Sequence, residues 1–195
     1  MLEDLEKDGF QCERVPLGPD GRIDPGAWAG ALEGPVLLGL LHHANHETGV
    51  IQPLDEVGKH CRAAGIPFLV DAVQAAGKLP LQAWRVHADL VALSAHKLGG
   101  PQGVGALWVR QGLQLAPLIG GSQEMRRRGG TPGVAAVVGF GAAARSAIAD
   151  RTVEAGRMLR LRAKIETRLR SDFPDCRLHG EGSPRLPNTV NFALN

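Results

Sequence analysis

The sequence of 195 residues predicts an α/β protein built on a mostly parallel sheet. Two features of the sequence lead to this prediction. Short segments that are apolar throughout recur in the first half of the chain, and segments with helical spacing separate them. Strands of this kind are typical of parallel sheets covered on both faces by helices. The predicted strands are Gln11–Val15, Pro35–His42, Pro67–Val70, Leu90–Leu93 and Gly105–Val109.

Capping residues and apolar spacing predict the helices. Asp24 followed by Pro25 is the pattern of an N-cap and a first helical turn. The apolar residues of Leu54–Ala64 recur on one helical face, and Gly65 is placed to end that helix. These two helices lie between predicted strands, as an alternating α/β fold requires.

The chain changes character after Pro132, where strand-like segments give way to helical ones. Val134–Ala149 and Arg151–Arg170 predict one long helix or a pair of helices, and Leu178–Asn195 predicts the start of a second α+β layer. Arg151–Arg170 is basic, but no aromatic residues interleave with its charges, so we expect a solvated helix face rather than a nucleic-acid surface.

Composition excludes several classes of protein. The net charge is +2, with 44% hydrophobic and 22% charged residues, which predicts a soluble globular protein with neither nucleic acid nor membrane as a partner. No apolar segment has the length of a membrane-spanning helix. The three cysteines are odd in number and widely spaced, which predicts a reduced, cytoplasmic protein.

Polar residues follow directly on the predicted strands. Ligands of open parallel sheets bind beyond the carboxyl ends of the strands, so we expect these side chains to converge there. They are Asn45, Asp71, Gln74, Ser94, His96 and Lys97. Such a set suits pyridoxal 5'-phosphate, with Lys97 forming the Schiff base and Asp71 keeping the pyridine nitrogen protonated. Taken alone, each of these residues is more often a cap, a turn residue or a solvated surface residue.

Two other segments of the sequence resemble known binding motifs. His42, His43, His46 and Glu47 are crowded, but the segment follows a strand and lacks the central Glu of a zinc helix, so we expect no metal site. The glycine-rich Gly99–Gly105 lacks the ending of a nucleotide-binding loop, and we interpret it as a tight turn after Lys97.

Four strings occur in an order and spacing that resembles the cysteine desulfurases, which are pyridoxal-phosphate enzymes of the class V aminotransferase family. The strings are HHANHETGVIQPL, VDAVQAAGKLPL, ADLVALSAHKLGGPQGVGALWVR and GGSQEMRRRGGTP. The resemblance implies a fold-type I enzyme. Residues 1–150 would be part of its large cofactor-binding domain, and residues 151–195 a connecting helix and the start of a small α+β domain.

The resemblance also implies a role for each site residue. Lys97 matches the lysine that forms the Schiff base with the cofactor, and sulfur would be removed from cysteine by way of this aldimine. His96 matches a phosphate ligand that could also assist proton transfer. Asp71 matches the partner of the pyridine nitrogen. Gln74 matches the glutamine near the phenolic oxygen, and Ser94 a phosphate ligand.

Two further positions match the family less directly. Asn45 resembles the asparagine close to cofactor and substrate. Thr131 resembles the threonine that reaches the phosphate of the partner subunit in family dimers, although Gly129 stands where the family more often has serine. We therefore expect a homodimer or pairing with a complementary chain.

The resemblance covers only the second half of the family's large domain. The loop that cradles the phosphate, the nucleophilic cysteine and the arginine that binds the substrate carboxylate have no counterpart here, and none of the three cysteines (Cys12, Cys61, Cys176) matches that nucleophile. We expect a cysteine-desulfurase-like protein of iron–sulfur cluster assembly that is incomplete on its own. The alternatives are selenocysteine lyase, transamination, or a non-catalytic truncated homologue.

Overall fold

A four-stranded mixed sheet lies at the centre of the computed structural model, which describes residues 2–80 and 87–194. Its strands are β1 (Gly39–His42), β2 (Phe68–Asp71), β3 (Leu90–Ser94) and β4 (Gly105–Val109). They lie in this order; β1, β2 and β3 are parallel, and β4 runs antiparallel to β3. The predicted α/β fold with a mostly parallel sheet is confirmed.

Helices connect and extend the sheet. They include α1 (Leu2–Lys7), α2 (Pro25–Ala31), α3 (Leu54–Ala64), the 3₁₀ helix η1 (Ala95–Leu98) and α4 (Val134–Asp172), and a four-residue helical turn, Gln123–Arg126, precedes α4. The Asp24 carboxylate accepts a hydrogen bond from the Ala27 amide at 2.7 Å, so the predicted cap of α2 is confirmed. Gly65 ends α3 with φ of 69°, a left-handed conformation that glycine adopts without strain.

The main core lies between one face of the sheet and helices α2 and α3. Trp28 packs edge-on against Phe68, with ring centroids 6.1 Å apart, and its indole N–H donates to the Cys61 sulfur at 3.3 Å. The residues of this core include Trp28, Leu41, Val57, Cys61, Phe68, Val70 and Val91. The apolar stripe predicted for α3 therefore faces the sheet.

Three expectations about the sheet were wrong. Gln11–Val15 is not a strand, because no described segment pairs with its backbone; the nearest backbone pairing is the isolated bridge from Leu17 to Ile23. The strand predicted from Pro35 begins only at Gly39. Helices cover one face only among the described residues, because Leu40 and Leu107 on the opposite face are exposed.

Past residue 133 the chain forms one continuous helix of 39 residues, α4, so the two predicted helical segments are a single element. Two short antiparallel strands follow, β5 (Arg177–Leu178) and β6 (Phe192–Ala193). The residues between them contact the segment that follows β1, since the Ile51 amide donates to the Pro184 carbonyl at 2.8 Å. No described helix combines the length and apolar character needed to cross a membrane.

Candidate functional site

The carboxyl ends of β1, β2 and β3 bring three polar side chains to one edge of the sheet. His42 is the last residue of β1 and the register partner of Asp71, the last residue of β2. Asp71 in turn pairs with Ala92, two residues before the end of β3 at Ser94. Because the three strands are parallel, these ends meet at the same edge, as the sequence predicted.

Helix η1 presents His96 and Lys97 immediately beyond β3. Both side chains are exposed, whereas Ala95 beside them is buried and anchors the turn. The Ser94 hydroxyl lies 2.8 Å from His96 Nδ1, so it donates to that nitrogen when the nitrogen is unprotonated. Gly99 then reverses the chain with φ of 80°, consistent with the turn predicted after Lys97.

Asp71 has an exposed carboxylate in a fixed orientation. Its Oδ1 accepts a hydrogen bond from the Val73 amide at 2.9 Å, which starts the turn after β2. No other described residue bonds this carboxylate, so it can accept a further donor from solvent or a bound molecule. Gln74 is half-buried in the same turn.

The turn that carries Gln74 also carries Lys78, which the sequence analysis did not select. Lys78 Nζ donates to the Gln74 carbonyl oxygen at 2.8 Å. The four-residue spacing between the two residues, which places them on one side of a helical turn, was the signal that could have found it.

Asn45 and Thr131 are the two predicted residues that the geometry connects least to Lys97. The Asn45 side-chain oxygen accepts from the Glu47 and Thr48 amides, each at 2.9 Å, and so holds its own loop after β1. Thr131 is exposed before α4, and in the described part of the chain no hydrogen bond joins it to the residues around Lys97.

Burial governs the electrostatics at the end of β1. It lowers the pKa of His43 from an ordinary 6.5 to about 4, partly opposed by the Asp55 carboxylate. It also lowers the pKa of His42, where Asp71 opposes the shift and His46 adds to it. His42 Nε2 is buried without a hydrogen-bond partner among the described residues. No three metal-ligating side chains converge within residues 2–80 and 87–194.

Comparison with known proteins identifies the family. The whole chain, residues 1–195, matches the family described as Aminotransferase class-V. The chain belongs to this family. Among its relatives, the cysteine desulfurase IscS of Anaeromyxobacter sp. (strain Fw109-5) is 41% identical over 193 residues, which are 97% of this chain and 48% of that protein. A cysteine desulfurase of Nostoc sp. is 38% identical over 195 residues, 100% of this chain and 49% of the relative.

Solved structures agree with the class V aminotransferase assignment. DndA from Streptomyces lividans superposes with a TM-score of 0.90 at 32% identity, over 98% of this chain and 55% of that one. A NifS-like protein from Rickettsia africae gives a TM-score of 0.87 at 29% identity, over 92% of this chain and 51% of the other. The chain thus spans about half the length of the curated relatives it matches.

Proposed function

We propose that this chain carries the lysine-bearing part of a pyridoxal 5'-phosphate site and serves the removal of sulfur from cysteine. One observation carries the proposal. Asp71 and Ser94 end neighbouring parallel strands, and η1 presents His96 and Lys97 directly beyond them. The proposed substrate is cysteine because the relatives are named cysteine desulfurases.

The donor set fits the cofactor. A pyridine nitrogen that carries a proton needs an acceptor, and the exposed Asp71 carboxylate can provide one. A phosphate needs donors, which the Ser94 hydroxyl and the His96 imidazole supply from one short segment. His42, the neighbour of Asp71, has a buried nitrogen without a partner, as expected beside a polar group that completes the site.

Each side chain then has a defined task. Lys97 would hold the cofactor covalently and, once the substrate amine takes its place, would move the proton of the substrate α-carbon. When bound, pyridoxal phosphate supplies an electron sink for the negative charge that this proton leaves behind. Asp71 would keep the pyridine nitrogen protonated. Gln74 and Asn45 would orient the polar groups of cofactor and substrate, and Thr131 would reach the phosphate of a partner subunit.

The group that accepts the sulfur must be an accessible cysteine thiolate. Cys61 does not meet this need, because it is buried under Trp28 and burial raises its pKa. Cys12, in the coil before α2, and Cys176, in the turn before β5, are partly exposed, but neither matches the position of the nucleophilic cysteine in the cysteine desulfurases. We therefore propose that the thiolate comes from outside these three positions, on a further segment or on a partner.

A homodimer or a complementary chain is the partner we propose. Two features support it: β1 is an edge strand of the described sheet, and Leu37, Leu40 and Leu107 are exposed, Leu37 to 72%. An unpaired strand edge beside exposed apolar side chains favours association with another polypeptide. We further propose a cytoplasmic protein of iron–sulfur cluster assembly, in keeping with its widely spaced cysteines and its IscS relatives.

The test is the visible absorption spectrum of the purified chain after incubation with pyridoxal 5'-phosphate and desalting. We expect a visible band in the parent and none in Lys97→Ala, because the Schiff base to Lys97 holds the cofactor during desalting. Lys59→Ala is the matched control, since Lys59 is an exposed lysine on α3. A band that persisted in Lys97→Ala would contradict the role of Lys97, and no band in any variant would favour the non-catalytic alternative.

A further inference from the structure

Lys78 is a partly buried cation that the proposed function does not use. Its Nζ atom donates to the Gln74 carbonyl oxygen at 2.8 Å and so closes the turn Val73–Lys78. Gln74 is the residue proposed to orient the cofactor. A substitution at Lys78 would therefore loosen the backbone that places Gln74.

The same turn packs directly against η1. Gly77 has φ of 74°, and a Cβ atom added there would lie 2.6 Å from the Leu98 side chain and 3.1 Å from that of Ala147. The turn, η1 and α4 thus meet without space for a single methyl group. This close packing fixes Lys78 relative to Lys97, the neighbour of Leu98 on η1.

Lys78 Nζ donates to a carbonyl oxygen, and no carboxylate forms an ion pair with it among the described residues. Burial lowers the pKa of Lys78, and the positive charge of Lys97 lowers it further. The other charged or titratable groups on the elements around the turn include Asp71 before it, His42 on β1, His96 on η1, and Arg145, Asp150 and Arg151 on α4.

A second positive charge beside Lys97 favours an anion at this place, because an anion offsets the repulsion between the two amines. The natural occupant is the anionic part of the molecule that Lys97 binds. We propose that Lys78 is a positioning residue of the Lys97 site, which holds the backbone of Gln74 and adds a second positive charge for an anionic phosphate-bearing ligand. This inference rests on the proposed function.

The first experiment measures the dissociation constant of pyridoxal 5'-phosphate for the parent chain, Lys78→Met and Lys78→Arg at two salt concentrations. We expect Lys78→Met to bind about tenfold more weakly and with a smaller salt dependence, because one charge-assisted contact is lost. Lys78→Arg should regain most of the affinity. Lys59→Met, on the solvated surface of α3, should bind as the parent does.

A second experiment needs no cofactor. Trace acetylation of the cofactor-free chain, followed by peptide mass spectrometry, gives the pH midpoint at which Lys78 reacts. We expect this midpoint to rise in Lys97→Met, since removing a neighbouring positive charge favours the protonated amine. Lys59→Met should leave it unchanged.

The outcomes separate the two proposals. A parent that binds no pyridoxal 5'-phosphate would refute the proposed function and this inference with it. Binding by the parent with equal affinity in Lys78→Met would overturn the inference alone. Equal losses in Lys78→Met and Lys78→Arg with unchanged salt dependence, or a Lys78 midpoint unaffected by Lys97→Met, would also overturn it, because the charge of Lys78 would then have no part.

Discussion

Glu166→Gln is expected to lower the free energy of unfolding by about 3 kcal/mol, because it removes the only carboxylate that the described residues place between two arginines. Glu166 Oε1 lies 2.8 Å from Arg185 Nη2 and 3.6 Å from Arg162 Nε. The side chains of Glu166 and Arg185 are only 13% and 7% exposed, so the arginine charge would stay buried and uncompensated. Nη1 of Arg185 already lacks a described partner.

The consequence extends to the candidate site. Arg162 Nη1 donates to the Leu186 carbonyl oxygen at 2.6 Å, and the Leu186 amide donates to the Gly49 carbonyl oxygen at 2.8 Å. The loop after β1, which contains Asn45, is therefore held through this segment. We expect Glu166→Gln to speed hydrogen exchange in that loop as well.

Urea unfolding of Glu166→Gln and Glu154→Gln measures the effect. Glu154 is the matched control because it pairs with Arg157 on the same helix but lies in solvent, where an ion pair contributes little. We expect no measurable loss in Glu154→Gln. Equal losses in the two variants would show that the Glu166 cluster is no more important than a surface pair.

Acidification is expected to destabilise the protein through His43. Burial depresses its folded pKa to about 4 from an ordinary 6.5, so the unfolded chain binds more protons than the folded one between these values. The contribution is fully present above about pH 6.5 and is lost as the pH falls through about 4. Its size is about 3 kcal/mol, from a shift of about two and a half units at about 1.4 kcal/mol each. His42, whose pKa is also lowered by burial, acts in the same direction.

The measurement is the pH dependence of the free energy of unfolding for the parent, His43→Leu and His60→Leu. His43→Leu should remove much of the slope between pH 6.5 and 4, since a leucine keeps the position apolar without a titrating group. His60 is exposed on α3, and its substitution should leave the slope as in the parent. A slope unchanged in His43→Leu would contradict the assignment.

Local signals predicted the elements that carry the candidate site. The apolar segments before Asp71 and Ser94 form β2 and β3, and α3 has the bounds that its spacing and Gly65 predicted. These elements were predictable because burial periodicity and capping are encoded within a few neighbouring residues. The position of Asp71 and Ser94 at one edge of the sheet then follows from the parallel strands, and η1 adds Lys97 directly beyond β3.

Contacts between residues far apart in the sequence could not be predicted from it. Gln11–Val15 has the composition of a short strand, but strand formation needs a partner, and none of the described residues pairs with it. Arg185 and Glu166 are 19 residues apart, and only the fold brings them together. The role of Lys78 could not be predicted for a similar reason, because it depends on the contact with Gln74 and the closeness to Lys97, which only the fold provides.

The most direct test of the central claim is to locate the covalent attachment of the cofactor. The chain is incubated with pyridoxal 5'-phosphate, reduced with borohydride to make the attachment permanent, digested and mapped by mass spectrometry. We expect the pyridoxyl mass on the peptide containing Lys97 and not on those containing Lys59 or Lys78. Label on another lysine, or labelling spread evenly over the exposed lysines, would contradict the claim that the end of β3 forms the cofactor site.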